Sequence, residues 1–262
     1  MIKLQEGSLM GSLTAGTGAA GSSANQLNRP TGLVVDESSN IYVADDFNSR
    51  VMFWRKNAST GVIVAGTGVY SNTSSTLSHV PGLAVDSQQT IYVSDQYNHR
   101  VMKWKQNATN GTLIAGNGVA GSGSLQLNQP YGLYLDEPNS YLYIADHSNH
   151  RIQRYYLGNT TNVTTVAGGN GQGSGSHQLN LPYGVCVSKK TGDIYIADTM
   201  NHRIQRWSPR SASGVTIAGI TGMNAICSTH LNTPYFVALS PNETFLYVSD
   251  SGNNRVQRFQ LI

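Results

Sequence analysis

The feature that most constrains this chain is an internal repeat of about fifty residues, used five times. The pattern Asp-x-x-Asn-x-Arg marks each copy, and its arginines follow one another at intervals of 50, 51, 52 and 52 residues. The copies are Asp45, Asn48, Arg50; Asp95, Asn98, Arg100; Asp146, Asn149, Arg151; Asp198, Asn201, Arg203; and Asp250, Asn253, Arg255. A fixed period of this length indicates one supersecondary unit that is repeated and stacked.

Each repeat contains four short segments, which we name strands a, b, c and d. In the third copy they read PYGLYLD, YLYIAD, HRIQRY and TTVAG. The segments are rich in Tyr, Ile and Val, helical periodicity is absent, and chain-breaking residues recur every eight to twelve positions. This pattern predicts four antiparallel strands in each repeat.

Five repeats of four strands predict an all-β fold, a five-bladed β-propeller of four-stranded antiparallel blades. No linker interrupts the pattern, so residues 1–262 are expected to form a single domain. Residues 12–16, SLTAG, match strand d, whereas the chain ends just after strand c of the last copy. We therefore expect this N-terminal strand to complete the last blade and close the ring. The predicted blades cover about 30–66, 81–116, 130–168, 182–219, and 234–262 plus 12–16.

Composition excludes several classes of function. Charged residues make up 12% of the chain, the net charge is +3, and no basic run occurs, which disfavours a nucleic-acid partner. Apolar stretches do not exceed six residues, so no membrane span is expected. The start, MIKLQEGSLMGS, has no apolar core of signal-peptide length. The N-terminus therefore leaves two alternatives, a cytoplasmic protein or a sequence without its targeting segment.

The segments L-x-x-P-x-G-L-x-V-D, I-Y-V-A-D and N-H-R-I-Q-R-W closely resemble the NHL-repeat family of β-propellers. The resemblance covers essentially the whole chain. NHL propellers are typically six-bladed with a shorter repeat, whereas here we count five and the loops after strand d are long. The resemblance implies a non-catalytic interaction or structural module. Two alternatives stay open: a lyase or hydrolase like those on related propellers, and a cytoplasmic nucleic-acid- or protein-binding domain.

The repeated polar motif is interpreted as architecture. Its Asp ends strand b, its Asn lies in the turn and its Arg begins strand c, so that the Arg can bond back to the Asp across the hairpin. The Asn is expected to take the left-handed turn conformation. A catalytic site is normally built once from several blades, whereas this arrangement is built five times.

No catalytic residue, metal site or cofactor is predicted. His99, His150 and His202 share one place in the repeat, but turns between b and c should lie too far apart to share one zinc ion. The remaining histidines of the d–a loops, His79, His177 and His230, form no aligned set. Asp36, Asp86 and Asp136, with Ser188 and Ser240 in the other copies, are expected to open a–b turns rather than to form a cation ring. Cys186 is expected to be buried, and a Cys186–Cys227 bridge stays open.

Seven Asn-x-Ser/Thr sequons predict N-glycosylation if the chain is secreted. Six fall in a–b and c–d connections, which share one edge of a four-stranded antiparallel sheet, and only Asn72 falls at the other edge. The sequons begin at Asn57, Asn72, Asn107, Asn110, Asn159, Asn162 and Asn242. Their placement favours an extracellular or secreted glycoprotein, with a cytoplasmic protein as the alternative.

The edge that carries the b–c turns and the d–a loops is the predicted working surface. Aromatic residues follow or adjoin a proline where strand a begins there, namely Tyr131, Tyr183, Tyr235 and Phe236. They are candidates for binding a protein or glycan partner; the alternative is that they plug the channel mouth. Self-association or a tandem array of such domains is a further expectation.

Overall fold

A computed structural model of the chain describes residues 2–4 and 11–261, and this part consists of β-strands, turns and loops. Two strands precede the repeats: β1 Ile2–Leu4 and β2 Gly11–Leu13. The first two repeats contain β3 Pro30–Val35, β4 Ile41–Asp45, β5 Arg50–Trp54, β6 Val62–Gly66, β7 Leu83–Val85, β8 Ile91–Asp95, β9 Arg100–Trp104 and β10 Thr112–Gly116.

The last three repeats follow the same order. They contain β11 Pro130–Asp136, β12 Tyr141–Asp146, β13 Arg151–Tyr156, β14 Asn159–Gly168, β15 Val185–Val187, β16 Ile194–Asp198, β17 Arg203–Trp207, β18 Val215–Gly219, β19 Pro234–Leu239, β20 Phe245–Asp250 and β21 Arg255–Gln260. A short 3-10 turn joins strands b and c of every repeat: Asp46–Asn48, Gln96–Asn98, His147–Asn149, Thr199–Asn201 and Ser251–Asn253.

Each repeat forms one antiparallel sheet whose strands keep chain order. The chain clusters into two compact units, residues 1–114 and 115–262. In the first unit strand a of one repeat contacts strand a of the next, β3 with β7, and in the second unit β11 contacts β15 and β15 contacts β19. This is the predicted all-β, five-bladed β-propeller fold class. The extent of the domain, residues 1–262, stays a prediction.

The last sheet departs from the predicted closure of the ring. Among the described residues it has three strands, and β2 pairs with β1, through Leu13 opposite Ile2, instead of completing that sheet. Residues 14–16 lie outside any strand. Ala15 is nevertheless buried with Leu27, Met52 and Trp54 of the first repeat, just as Ala65, in strand d of the first repeat, is buried against strand c of the second. The N-terminal segment therefore packs like a strand d without forming the ladder that the sequence predicted.

Within each unit the core lies between consecutive sheets, where large side chains of strand c pack with strand d of the preceding repeat. Trp104 and Trp207 are almost fully buried, each against apolar residues of its own unit. In the second unit, the chain at strand a of the third repeat lies very close to the start of strand a of the fourth. The Gly132 amide donates to the carbonyl of Tyr183 at 2.8 Å. A Cβ on Gly132 would lie 2.5 Å from that oxygen, so only glycine permits this contact.

Within the described ranges, 2–4 and 11–261, no helix has the length and apolar character needed to cross a membrane.

Candidate functional site

A buried polar hub, formed by the Asp, Asn and Arg of the repeated motif, organises one edge of every sheet. In the fourth repeat Asp198 is fully buried, and its Oδ2 accepts hydrogen bonds from Arg203 Nε at 2.7 Å and Asn201 Nδ2 at 2.8 Å. Its Oδ1 accepts the backbone amide of Asn180 at 2.7 Å, just before strand a. The same Arg–Asp ion pair, at 2.7 Å, recurs in all five repeats.

The hub arginine also binds the d–a loop. This contact was not predicted from the sequence. The Arg203 guanidinium donates to the carbonyls of Ser174, Gly175 and Gln178 at 2.8, 3.0 and 3.3 Å. The equivalent arginines donate hydrogen bonds to backbone carbonyls at the same positions of the other d–a loops. Each hub therefore fixes one b–c turn and one d–a loop, and we name the edge that carries both the hub edge.

Burial of the hub carboxylates has an electrostatic consequence. Burial raises the pKa of Asp198, while hydrogen bonds from Asn201, the Asn180 amide and Arg203 oppose that rise. A buried carboxylate that loses its guanidinium partner would therefore be costly to keep ionised.

The left-handed residue of the b–c turn is not the motif's Asn, as predicted, but the residue after it. Asn201 stays in the 3-10 turn because its amide must point back to Asp198. The left-handed residues, with φ between 49° and 56°, are Ser49, His99, His150, His202 and Asn254. Two of these histidines connect successive repeats: His150 Nδ1 accepts the amide of Leu181 and His202 Nδ1 that of Thr233, each at 3.1 Å.

No three metal-ligating side chains among residues 2–4 and 11–261 are grouped so that they could hold an ion. The residues at the ends of strand a cap the following turns; Asp86, for example, accepts the amides of Gln88 and Thr90.

Each repeat presents one left-handed residue at the hub edge, one to four residues before strand a. These residues are Arg29, His79, Gln129, Leu181 and Thr233, with φ values of 48°, 59°, 52°, 49° and 42°. The amide just before each is held by the hub aspartate at 2.6 or 2.7 Å. One backbone conformation therefore displays five chemically different side chains.

In the first unit, side chains of the hub edge converge on His79. Its ring centroid lies 4.9 Å from that of Phe47, 5.9 Å from that of Tyr70 and 4.6 Å from that of Tyr97. Buried Asp46 orients the imidazole, because its Oδ1 lies 3.2 Å from His79 Nδ1 and also accepts the Val80 amide at 2.7 Å. The guanidinium of Arg29 stacks 4.4 Å from the Phe47 centroid. We name the group Arg29, Phe47, Tyr70, His79 and Tyr97 the His79 cluster.

The His79 cluster was not predicted from the sequence, although a signal for it was present. Phe47 and Tyr97 occupy the second variable position of Asp-x-x-Asn, where the later repeats carry Ser148, Met200 and Gly252. The informative residues were those that differ between repeats inside a constant frame.

In the second unit, three of the four predicted binding aromatics form a row. Tyr183 stacks on Tyr235 at 4.4 Å and lies 4.2 Å from Tyr131, and it shares side-chain hydrogen bonds with both. Burial, followed by these hydrogen bonds, raises the pKa of Tyr183. The fourth, Phe236, is not part of these ring contacts; its amide donates to Ser249 Oγ. The rings and hydroxyls of the row thus engage one another.

His147 packs against this row. Its centroid lies 4.5 Å from Tyr131 and 4.8 Å from Tyr183, and burial, with a contribution from His150, lowers its pKa to about 4. Ser148 Oγ donates to Gln129 and lies 3.2 Å from His147 Nδ1, so Nδ1 carries the proton. Nε2, which is buried without a hydrogen-bond partner, then bears a lone pair.

The two cysteines are not bridged. Cys186 is buried and Cys227 is exposed, and both are free thiols. Burial raises the pKa of Cys186, whereas a hydrogen bond with the Thr229 hydroxyl lowers that of Cys227. Cys227 Sγ also lies 2.6 Å from His230 Nδ1, a thiol–imidazole contact that was not predicted from the sequence.

Comparison with known proteins agrees with this geometry. Residues 179–207, which include the fourth hub, match the NHL repeat family model. NHL repeat-containing protein 2 from Homo sapiens is 27% identical over 142 residues, and that from Gallus gallus 26% over 143. The chain is therefore similar to the NHL-repeat proteins. The aligned region is 48% of this chain, and it spans only a fifth of the length of either relative.

Solved structures share the fold of this chain. A chain of a nidogen/laminin complex superimposes with a TM-score of 0.67 at 19% identity, covering 88% of this chain and 76% of that one. An auxiliary nutrient binding protein from Bacteroides thetaiotaomicron gives a TM-score of 0.65 at 16% identity, covering 89% and 59%. At such identities the likeness concerns the fold alone.

At the opposite edge of the repeats lie the a–b and c–d connections and most sequons. All seven sequon asparagines are exposed. Asn159 and Asn162 fall at the start of β14 rather than in a loop, because a tight turn joins that long strand to β13. In the first unit a groove of about 850 Å³, lined in part by Ile63, Trp104 and Asn107, opens at this edge. Glycosylation of these residues stays a prediction.

Proposed function

We propose that this NHL-repeat chain is a non-catalytic interaction module that binds a protein partner through its hub edge. One observation carries the proposal: five identical hubs hold one backbone conformation, and each displays a different residue before strand a. A rigid scaffold that presents variable side chains on loops is the usual construction of a binding surface.

Exposure at the hub edge supports this assignment. Four of the exposed large hydrophobic side chains of the first unit lie in its b–c turns or d–a loops, namely Phe47, Val69, Tyr70 and Tyr97. Aromatic side chains are enriched at protein interfaces relative to the remaining surface. One structural neighbour is a chain of a nidogen/laminin complex, so a chain of this fold occurs in an assembly between proteins.

We further propose that the protein functions outside the cell, with N-glycans on the opposite edge. The support is the placement of six of the seven sequons, all of them exposed. Glycans there would leave the hub edge uncovered. Binding of a glycan partner and assembly into an array remain expectations of the sequence.

Site-specific photo-cross-linking tests which edge meets the partner. Benzoylphenylalanine is placed on the hub edge at Val69 or Met200, and on the opposite edge at Thr109 or Ser211. All four positions are exposed, and each unit contributes one position to each edge. In native extract and medium we expect discrete protein adducts from Val69 and Met200 only. Adducts confined to Thr109 and Ser211 would contradict the proposal, as would adducts from none of the four.

A further inference from the structure

The His79 cluster has the composition of an interaction hot spot. Phe47, Tyr70 and Tyr97 are 44%, 58% and 45% exposed, although each ring lies within 6 Å of the same imidazole. Aromatic side chains and arginine are enriched among the few residues that supply most of the binding energy at an interface, and the cluster contains both. The cluster thus concentrates apolar contact area at one point of the hub edge.

The cluster is held in place before any partner arrives. Asp46 is buried and anchors both the His79 ring and the Val80 amide. The two hubs of these repeats, built on Asp45 and Asp95, fix the turns that carry Phe47 and Tyr97. A preorganised surface loses little conformational entropy on binding.

Arg29 gives the cluster a charge preference. It is exposed, and its guanidinium stacks on Phe47. Among the described residues it makes no hydrogen bond or ion pair, so its donors face solvent. A planar guanidinium fork matches a carboxylate in bidentate geometry. Asp46, a carboxylate with which Arg29 interacts electrostatically, is buried and already engaged by His79 and Val80.

We propose that the His79 cluster binds an extended acidic segment of the protein partner. A carboxylate of the segment pairs with Arg29, and an apolar or proline residue beside it packs against Phe47 and Tyr97. This inference rests on the proposed function, since it names the chemistry recognised at one part of the hub edge. A nucleic-acid strand fits less well, because tracking a phosphate backbone needs several cations and the cluster offers one.

The test is selection of binders from a phage-displayed library of random peptides on the intact chain. We expect the enriched peptides to combine Asp or Glu with aromatic, aliphatic or proline residues. Fluorescence anisotropy then compares their affinity for the wild type, Arg29→Gln, Arg29→Lys and Tyr97→Ala. Arg29→Gln uses the residue that the third repeat carries at this position, Gln129, which keeps the left-handed backbone.

Arg29→Gln should weaken binding about tenfold or more, and Arg29→Lys should restore only part of the loss because lysine lacks the fork. Tyr97→Ala should weaken binding to a similar degree. Arg210→Gln is the matched control, since Arg210 is also exposed and left-handed but lies in a c–d loop at the opposite edge; it should leave the affinity unchanged. Thermal unfolding of each variant checks that the fold is kept.

Three results would overturn the inference: no enrichment of acidic peptides, equal affinity for wild type and Arg29→Gln, or displacement of the peptides by a single-stranded oligothymidylate that binds more tightly. Its failure is distinguishable from failure of the proposed function. If hub-edge cross-links persist in Arg29→Gln, the proposal that the hub edge binds a partner stands, and the proposal that the cluster recognises an acidic segment is wrong. Absence of hub-edge cross-links would remove the proposed function itself.

Discussion

Arg203 and Arg255 occupy the same position in two hubs but differ in burial, which gives the hub a direct test. Their side chains are 4% and 28% exposed, and each pairs at 2.7 Å with a fully buried aspartate. Arg203→Met should lower the free energy of unfolding by about 3–5 kcal/mol, because Asp198 would be left charged and unpaired. Arg255→Met should cost about 1–2 kcal/mol, since water reaches that site. Urea denaturation measures both; equal costs would contradict this account.

The double variant Asp198→Asn with Arg203→Met separates an unpaired charge from lost packing. Removing the buried charge along with its partner should recover part of the stability that Arg203→Met loses. If the double variant is no more stable than Arg203→Met, the stability lost in Arg203→Met comes mainly from the lost hydrogen bonds to the d–a loop and not from the unpaired charge.

His147 should make stability depend on pH between about 6.5 and 4. Burial lowers its folded pKa to about 4, whereas an unfolded chain binds the proton near 6.5. Below 6.5 the unfolded state therefore binds more protons than the folded state, so stability falls as the pH falls and levels off near 4. Relative to His147→Gln, the wild type should lose roughly 2–3 kcal/mol between pH 7 and 4.5.

His147→Gln is the appropriate reference because the second repeat carries buried Gln96 at this position. Both proteins share all other titrating groups, so the difference in their unfolding free energies isolates His147. A difference that stays constant from pH 7 to 4.5 would show that the imidazole titrates normally in the folded protein.

At the scale of elements, the end of strand d depends on a left-handed glycine. Gly168 has φ 69°, and a Cβ there would lie 2.4 Å from the His150 carbonyl of the neighbouring b–c turn. Gly171, with φ 79°, has nothing within 4 Å of such a Cβ. Gly171→Ala should cost about 1 kcal/mol of backbone strain, and Gly168→Ala at least about 2 kcal/mol more, because the turn must move. Thermal unfolding measures both, and similar melting temperatures would contradict the argument.

The elements that the sequence predicted are those specified five times. Strand c and the ion pair between Arg203 and Asp198 could be predicted because one spacing is kept in every repeat. The left-handed position was misplaced by one residue, because a motif shows which residue is constant and not which backbone angle it takes. The pairing of β1 with β2 could not be predicted, because this strand pair lies outside the five repeats and has no counterpart in them.

The candidate site was the least predictable part, for a physical reason. The His79 cluster joins loops about 20 to 70 residues apart, and its contacts depend on the exact path of each d–a loop. The row of Tyr131, Tyr183 and Tyr235 was easier to anticipate, because all three residues follow a proline at the start of strand a. The residues that are constant in all repeats therefore predicted the scaffold, whereas the residues that differ between repeats, which form the candidate site, could not be recognised from the repeat pattern.

At the scale of the whole molecule, the two edges of the repeats have different surface chemistry, and one sequon tests that division. Asn72 is exposed in the d–a loop that also carries Tyr70, and its carbonyl accepts a hydrogen bond from Arg100. A glycan there would stand beside the His79 cluster. A binding hub edge therefore requires Asn72 to be unmodified in the native protein, whereas Asn107 and Asn242, at the opposite edge, should be occupied.

Enzymatic deglycosylation of native protein in ¹⁸O water marks every formerly occupied asparagine as labelled aspartate, which peptide mass spectrometry locates. We expect the label at opposite-edge sequons and none at Asn72. The closely spaced pair Asn107 and Asn110 should rarely be occupied together, because two glycans three residues apart would collide. Label at Asn72 would place a glycan over the His79 cluster and contradict the acidic-segment proposal. Label at none of the seven would remove the argument for an extracellular protein while leaving the hub edge free to bind.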